Sequence, residues 1–133
     1  MSRRKARECA FKVLFQVDQV AADPQVAFKY ILEETELAEK DQGFSWDLII
    51  GTLEHQREID EKIASFARDW TINRMPTVDR NIMRLASFEI LYMPQAQPVV
   101  AIDEAVEIAK IYGDENSPSF INAVLDRLLG EEQ

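Results

Sequence analysis

The sequence predicts an all-α fold of about seven helices. Three observations predict it. Apolar residues recur at three- and four-residue spacing in almost every segment. The five prolines fall between such segments, where one helix must stop or the next can start. No stretch keeps a period-two alternation, and no hairpin dipeptide such as Asn-Gly is present, so nothing asks for a sheet.

The first helix places Ala6, Ala10, Val13, Leu14, Val17, Val20 and Ala21 on one stripe. Phe11 and Phe15 lie beside that stripe, which suits a helix with one face for the core and another for a partner. Asp23 can cap a second helix that opens on Pro24, with Val26, Ala27, Tyr30 and Ile31 spaced for burial. The acidic stretch 33–42 is weakly periodic and is expected to be a connection with frayed helix ends. Helical spacing returns at Phe44, Leu48, Ile49, Thr52 and Leu53, and a break is expected near His55 to Glu58. It resumes through Ile59, Ile63, Phe66, Ala67 and Trp70. Gly51 sits inside this pattern, where glycine costs a helix up to about 1 kcal/mol relative to alanine. A second helix crossing close by would explain it.

Pro76 ends that run, and the next helix, about Val78 to Tyr92, aligns Val78, Ile82, Leu85 and Tyr92. Pro94 and Pro98 bracket a short loop. Val100 to Tyr112 turns Ile102, Ala105, Ala109 and Tyr112 inward and Asp103, Glu104, Glu107 and Lys110 outward, and Gly113 is its natural C-cap. Ser117 and Pro118 supply an N-cap and a first-turn proline for a last helix carrying Phe120, Ile121, Val124, Leu125 and Leu128.

With 133 residues, 47% hydrophobic and 29% charged, the chain is expected to form one globular domain, 1–133. No apolar run approaches the roughly 18 residues a membrane span needs, so no membrane association is expected. The basic start is followed by Lys12, Gln16 and Asp18, which excludes the apolar core of a secretory signal. A lone Cys9 cannot form an internal disulfide and suits a reducing cytoplasm.

The charge is unevenly spread. The net charge is −9, yet the first twelve residues carry Arg3, Arg4, Lys5, Arg7 and Lys12 against Glu8 alone, a local +4 that leaves −13 for the other 121. Screening at physiological salt acts over about 8 Å, so such a tip is felt locally. It is either a contact for nucleic acid or phosphate, or a solvated terminus. Enzyme readings lack parts: there is one histidine, no His-Glu-x-x-His or Cys-x-x-Cys metal pattern, and no glycine-rich phosphate loop. Cys9 shares the buried side of its helix with Ala10 and Val13 and is expected to be core. No cofactor or metal is expected. Two residues stand out. Glu89 shares a stripe with Ile82, Leu85 and Tyr92, where a lone carboxylate is costly, so either another helix supplies a donor or it lies at an interface rim. Phe120 opens the last helix and is either core or exposed beside the helix dipole.

Taken in order, these residues resemble the NusB family over nearly the whole chain. The opening Arg3-Arg4-Lys5-Ala6-Arg7-Glu8-Cys9-Ala10 is similar to the family's arginine-rich first helix. Phe44, Leu48, Gly51 and Ile59-Asp60 follow, then Trp70, Arg74, the run Asp79 to Ala86, and Glu89. Val100 to Lys110, Ser117 and the run Phe120 to Asp126 complete the match. The resemblance implies two small helical bundles packed at an angle, and no enzyme activity. It implies a transcription antitermination factor that binds single-stranded boxA RNA with ribosomal protein S10 (NusE) and joins the RNA polymerase antitermination complex. By position, Arg3, Arg4, Lys5 and Arg7 would contact the RNA backbone, Phe120 would contact a base, and Phe15 and Asp79 would face NusE. Four phosphate contacts predict a log–log salt slope near −3, at about −0.7 each.

There are departures. Ala123 stands where the family often has glycine, so any need for glycine flexibility there is absent. Only two residues precede Arg3, whereas some relatives carry longer basic leaders, and fewer cations bear on RNA affinity more than on identity. The module also occurs appended to ribosomal RNA cytosine methyltransferases, but 133 residues leave no room for that domain, so a stand-alone factor is expected. A second reading is a helical adaptor that docks a basic partner without RNA affinity of its own. A third is a homodimer that hides the RNA surface until the partner arrives.

Overall fold

The computed structural model describes residues 2–67 and 71–132. In chain order these form α1 (Ser2–Val20), α2 (Pro24–Glu34), α3 (Glu39–Glu54) and α4 (Gln56–Phe66). A short 3-10 turn (Ile72–Arg74), α5 (Thr77–Tyr92), α6 (Pro98–Tyr112) and α7 (Ser117–Glu132) follow. No strand occurs among the described residues, so the all-α expectation of about seven helices holds. Trp70 lies outside the described residues.

Helix α5 is the axis. Nine consecutive residues, Asn81 to Glu89, are buried, which requires neighbours all round. Those neighbours are α1, α3, α4, α6 and α7. Helices α1 to α3 pack as one bundle around α1, and α4 to α7 pack as a second around α5. The core runs through both, from Ala10, Val13 and Leu14 across Ile49, Ile59 and Ile63 to Met83, Ile121 and Leu125.

The sequence signals act as expected at several joints. Asp23 accepts from the backbone amides of Gln25 and Val26 at 2.9 and 3.2 Å and caps α2, with Pro24 in its first turn. The break between α3 and α4 falls at His55. Gly51 permits a close crossing of α3 and α5: a Cβ there would lie 2.0 Å from the tip of the Phe88 ring on α5. Gly113 ends α6 with ordinary negative φ, and its missing side chain makes room for Ser117 instead.

Four expected core positions are not core. Val20 and Ala21 are exposed because α1 ends at Val20, and Ala21 turns the chain with a φ of 54°. Val26 and Tyr30 are 53% and 66% exposed. Helix α2 has only α1 as a substantial neighbour, so it buries just Ala27, Phe28 and Ile31. Phe11 errs the other way. The end of α6 covers it, with the Tyr112 ring 5.3 Å away, and it is 2% exposed.

A polar joint ties the two bundles. Arg80 and Arg84 point away from Glu89, as their spacing implies, and meet Asp18 of α1 and Asp60 of α4. Arg80 donates to Asp18 at 2.6 and 2.8 Å, and Arg84 donates to Asp60 at 2.7 and 2.9 Å. Asn81 adds a third donor to Asp18 at 2.8 Å. Burial alone would raise the Asp18 carboxyl, but these hydrogen bonds and the Arg84 charge outweigh it and hold it below its ordinary range.

Candidate nucleic-acid interface

The basic cluster occupies the first two turns of α1, and the core fixes its base. Ala6 and Ala10 are fully buried, and Ser45 of α3 donates its hydroxyl to the Ala6 carbonyl at 2.8 Å. The cations therefore sit on a rigid helix end and not on a loose tail. Folding, however, brings a carboxylate to each arginine. Arg3 lies 3.8 Å from Asp41 of α3. Arg4 forks onto Glu104 of α6 at 2.8 and 3.2 Å. Arg7 forks onto Glu89 of α5 at 2.9 and 2.6 Å. The +4 counted along the sequence is thus largely compensated in space, because three other helices contribute acids to the same spot. Lys5 is exposed and has no ion pair with another described residue.

The three arginines are not equivalent. The Arg3 and Arg4 side chains are 53% and 50% exposed, while Arg7 keeps only 11% and Glu89 only 4%. Bidentate hydrogen bonding to Glu89 holds the Arg7 guanidinium above its ordinary range against the opposing effect of burial. This answers the Glu89 anomaly: the donor comes from another helix. The Arg7 fork is thereby committed to Glu89, although Arg7 still lines the groove beside Arg3 and Arg4.

Arg3 spreads its guanidinium over the Phe44 ring, 4.0 Å from the centroid. Arg3, Arg4, Asp41, Phe44, Glu89 and Glu104 line a groove of about 800 Å³ that the α5–α6 loop closes through Gln95 and Gln97. A second groove of about 550 Å³ leads from Arg4 past Lys110 to Pro118 and Ser119 at the start of α7. It brings the cluster and the Phe120 end of α7 onto one continuous surface. Phe120 itself is half-buried against the core, so its two readings merge.

Ser117, expected to cap α7, does something else. Asp114 supplies the cap, accepting from the amides of Asn116 and Ser117 at 2.8 and 3.1 Å. The Ser117 hydroxyl is freed to donate to Asp79 of α5 at 2.6 Å. Asp79, expected to face a partner, is 4% exposed and is a joint between α5 and α7. Burial pushes its carboxyl above the ordinary range, the Ser117 hydrogen bond pulls it down, and the Asp114 charge adds to the rise. Phe15 is half-buried and stays at the surface edge, its ring 6.1 Å from that of Phe11.

Sequence reasoning missed Asp41 and Glu104 as members of this site and saw Phe44 only as a core residue. Their separations from Arg3 and Arg4 exceed any helical pattern, so no local signal marked them. Cys9 is buried, as expected, and burial raises its thiol above the ordinary range. No group of three or more histidine, cysteine or acidic side chains fit to hold a metal occurs among the described residues. No described helix is long and apolar enough to cross a membrane.

Fold and site together define a small all-α protein that presents a carboxylate-clamped cationic helix end beside two grooves. Relatives put a family to that class. The chain belongs to the NusB family, whose sequence profile matches residues 4–129. It is 67% identical over 132 residues to the transcription antitermination protein NusB of Syntrophomonas wolfei, covering 99% of this chain and 98% of that one. Identity to the NusB of Desulforamulus reducens is 44% over 129 residues, 97% and 90% of the two chains. Among solved structures, T. maritima NusB superposes with a TM-score of 0.90 at 39% identity, over 98% of this chain and 92% of that one. A chain in the crystal structure of antitermination factors NusB and NusE in complex with dsRNA gives 0.90 at 28% identity, over 98% and 97%. The two bundles implied by the resemblance are those seen here.

Proposed function

We propose that this chain is a non-enzymatic, cytoplasmic transcription antitermination factor. In this reading it binds boxA-type RNA together with ribosomal protein S10 in its NusE role and joins the RNA polymerase antitermination complex on ribosomal RNA operons. The full-length relationship to antitermination proteins, one of them solved with NusE and RNA, carries the reading. The exposed Arg3, Arg4 and Lys5 support it as phosphate contacts, and the groove from Arg4 to the start of α7 supports a path toward Phe120. Phe15 supports a partner edge; Asp79 would act there only by holding α7 against α5.

The test is RNA binding by fluorescence anisotropy with a boxA oligonucleotide, with and without S10. Three exposed cations in place of four give an expected log–log salt slope near −2, from about −0.7 per contact. Reversing Arg3, Arg4 and Lys5 to glutamate should cost at least tenfold in affinity at low salt, given the loss of all three contacts. Unchanged affinity would remove the cluster from the interface. Replacing Phe120 by alanine should cost about 1–3 kcal/mol if a base stacks on it. One observation favours the adaptor alternative, namely that each arginine already has a carboxylate. On that reading the chain binds S10 but shows no boxA affinity under any salt condition.

A further inference from the structure

One member of the large groove is unexplained by the fold. Asp41 is 1% exposed, yet its Oδ2 has no hydrogen-bond partner, and its Oδ1 reaches Arg3 Nε only at 3.8 Å, beyond hydrogen-bond length. A buried carboxylate is costly unless donors satisfy it. Two of the cations lining the same groove are committed elsewhere: Arg4 to Glu104 and Arg7 to Glu89. The one ion pair of Asp41 among the described residues is with Arg3, laid across Phe44, and that pair is weak. Arg3 is half exposed, its ion pair is long, and such exposed pairs contribute little. A phosphate offers the guanidinium a better partner. Were Arg3 to turn to a phosphate, the Phe44 ring and the Asp41 carboxylate would lose this guanidinium together.

We propose that this groove is a base-reading subsite separate from Phe120, in which a guanine takes the place of the Arg3 guanidinium on Phe44 and donates to Asp41. The proposal rests on the RNA-binding reading above and names one base within it. Single-stranded RNA is read by stacking unpaired bases on aromatic rings and by hydrogen bonding to their Watson–Crick edges. Guanine is the one RNA base with two adjacent N–H donors on that edge, N1–H and N2–H, matched to the two carboxylate oxygens. Adenine and cytosine bring one amino group beside an acceptor, and uracil one imino donor between two carbonyls that the carboxylate repels. Gln95 and Gln97 line the same groove, and its volume, about 800 Å³, is ample for a base. Arg3 then serves twice, as the partner of Phe44 and Asp41 in the empty subsite and as a phosphate contact when it is filled.

The experiment uses the full chain and oligo-uridine 12-mers carrying one central guanine, with adenine, inosine or 7-deazaguanine in its place. Guanine and 7-deazaguanine should bind about tenfold or more tightly than adenine, the range of one bidentate contact, with inosine between because it lacks the 2-amino donor. D41N should abolish that preference, bringing the guanine-to-adenine affinity ratio measured within the variant to about one. F44L should weaken the guanine oligomer toward the uridine level. As a check independent of variant folding, 6-thioguanosine in the wild-type complex should photocrosslink to the peptide containing Phe44. Binding of RNA without guanine preference, a preference that survives D41N, or a crosslink confined to another peptide overturns the subsite and leaves the RNA reading standing. Failure to bind either these oligomers or boxA RNA overturns both.

Discussion

Removing the Arg7 guanidinium should unfold the protein more readily than it should weaken RNA binding. In Arg7→Ala the Glu89 carboxylate, 4% exposed, loses both of its fork hydrogen bonds and faces Ile82, Leu85 and Ala101 without a counter-charge. Breaking a buried pair by deleting one partner costs about 3–5 kcal/mol. Arg7 keeps 11% of its side-chain exposure, so water can reach part of the gap and the low end, about 3 kcal/mol, applies. For a chain of this size that is a Tm drop of roughly 10 °C, readable by circular dichroism, with a matching fall in the urea midpoint. The companion variant Arg7→Met/Glu89→Leu removes both charges and fills the space, and it should recover most of the loss, since apolar replacement of a whole buried pair is often neutral. Its boxA affinity should stay within about twofold of wild type, because no phosphate contact is lost. A cost below about 1 kcal/mol for Arg7→Ala, or a double variant that binds RNA as poorly as an Arg4 reversal, would refute the assignment of Arg7 to the fold.

Three further outcomes follow from single contacts. Gly51→Ala drives a methyl to 2.0 Å from the Phe88 ring tip, and overpacking of about 1–3 kcal/mol should exceed the gain of up to about 1 kcal/mol in helix propensity. Urea denaturation should show net destabilisation, relieved in Gly51→Ala/Phe88→Leu; a stabilised single variant would mean the crossing is looser than described. Ala21→Gly should stabilise by about 1 kcal/mol, because Ala21 holds a left-handed φ of 54° at the end of α1, and a loss would contradict that backbone. Asp79 has a folded carboxyl raised above its unfolded value, so its contribution is full below the unfolded value and is lost as pH rises through the folded one. Asp79→Asn can still accept from Ser117 and should be more stable than wild type at pH 7 but not at the acid end of a pH series; a pH-independent difference would rule out titration as its cause.

Element boundaries were legible because short-range chemistry sets them. Asp23-Pro24, the His55 break, Pro76 and Gly113 all act where the sequence puts them. Buried faces were less legible. Periodicity says that a helix has an apolar side but not how many neighbours will cover it, which is why Val26 and Tyr30 of the peripheral α2 lie open. Glu89 shows the same limit from the other direction. Its misfit with the stripe was visible, and so was the need for a donor, but the donor lies 82 residues earlier in the chain. The candidate site fared likewise: the cations could be read off the sequence, whereas Asp41 and Glu104 reach them only through tertiary packing. Ser117 and Asp79 depart from their expected roles for a similar reason, since capping by Asp114 leaves the serine hydroxyl free for α5.

The compensated cluster changes how an acidic protein would hold RNA. A bare +4 tip would attract any polyanion at a distance, but arginines already facing carboxylates project little field beyond the Debye length of about 8 Å. Binding then becomes an exchange, in which a phosphate displaces a carboxylate. That exchange is cheap at Arg3 and Arg4, because exposed pairs contribute about 1 kcal/mol or less. At Arg7 it is closed off by burial. One short stretch thus divides into a residue that anchors the helix end to α5 and two that can let go of their acids. The cost of letting go falls equally on specific and random RNA, so net affinity must come from contacts that random RNA does not offer. Phe120 and the Asp41–Phe44 groove are where such contacts would form, and weak attraction elsewhere is what allows them to decide the outcome.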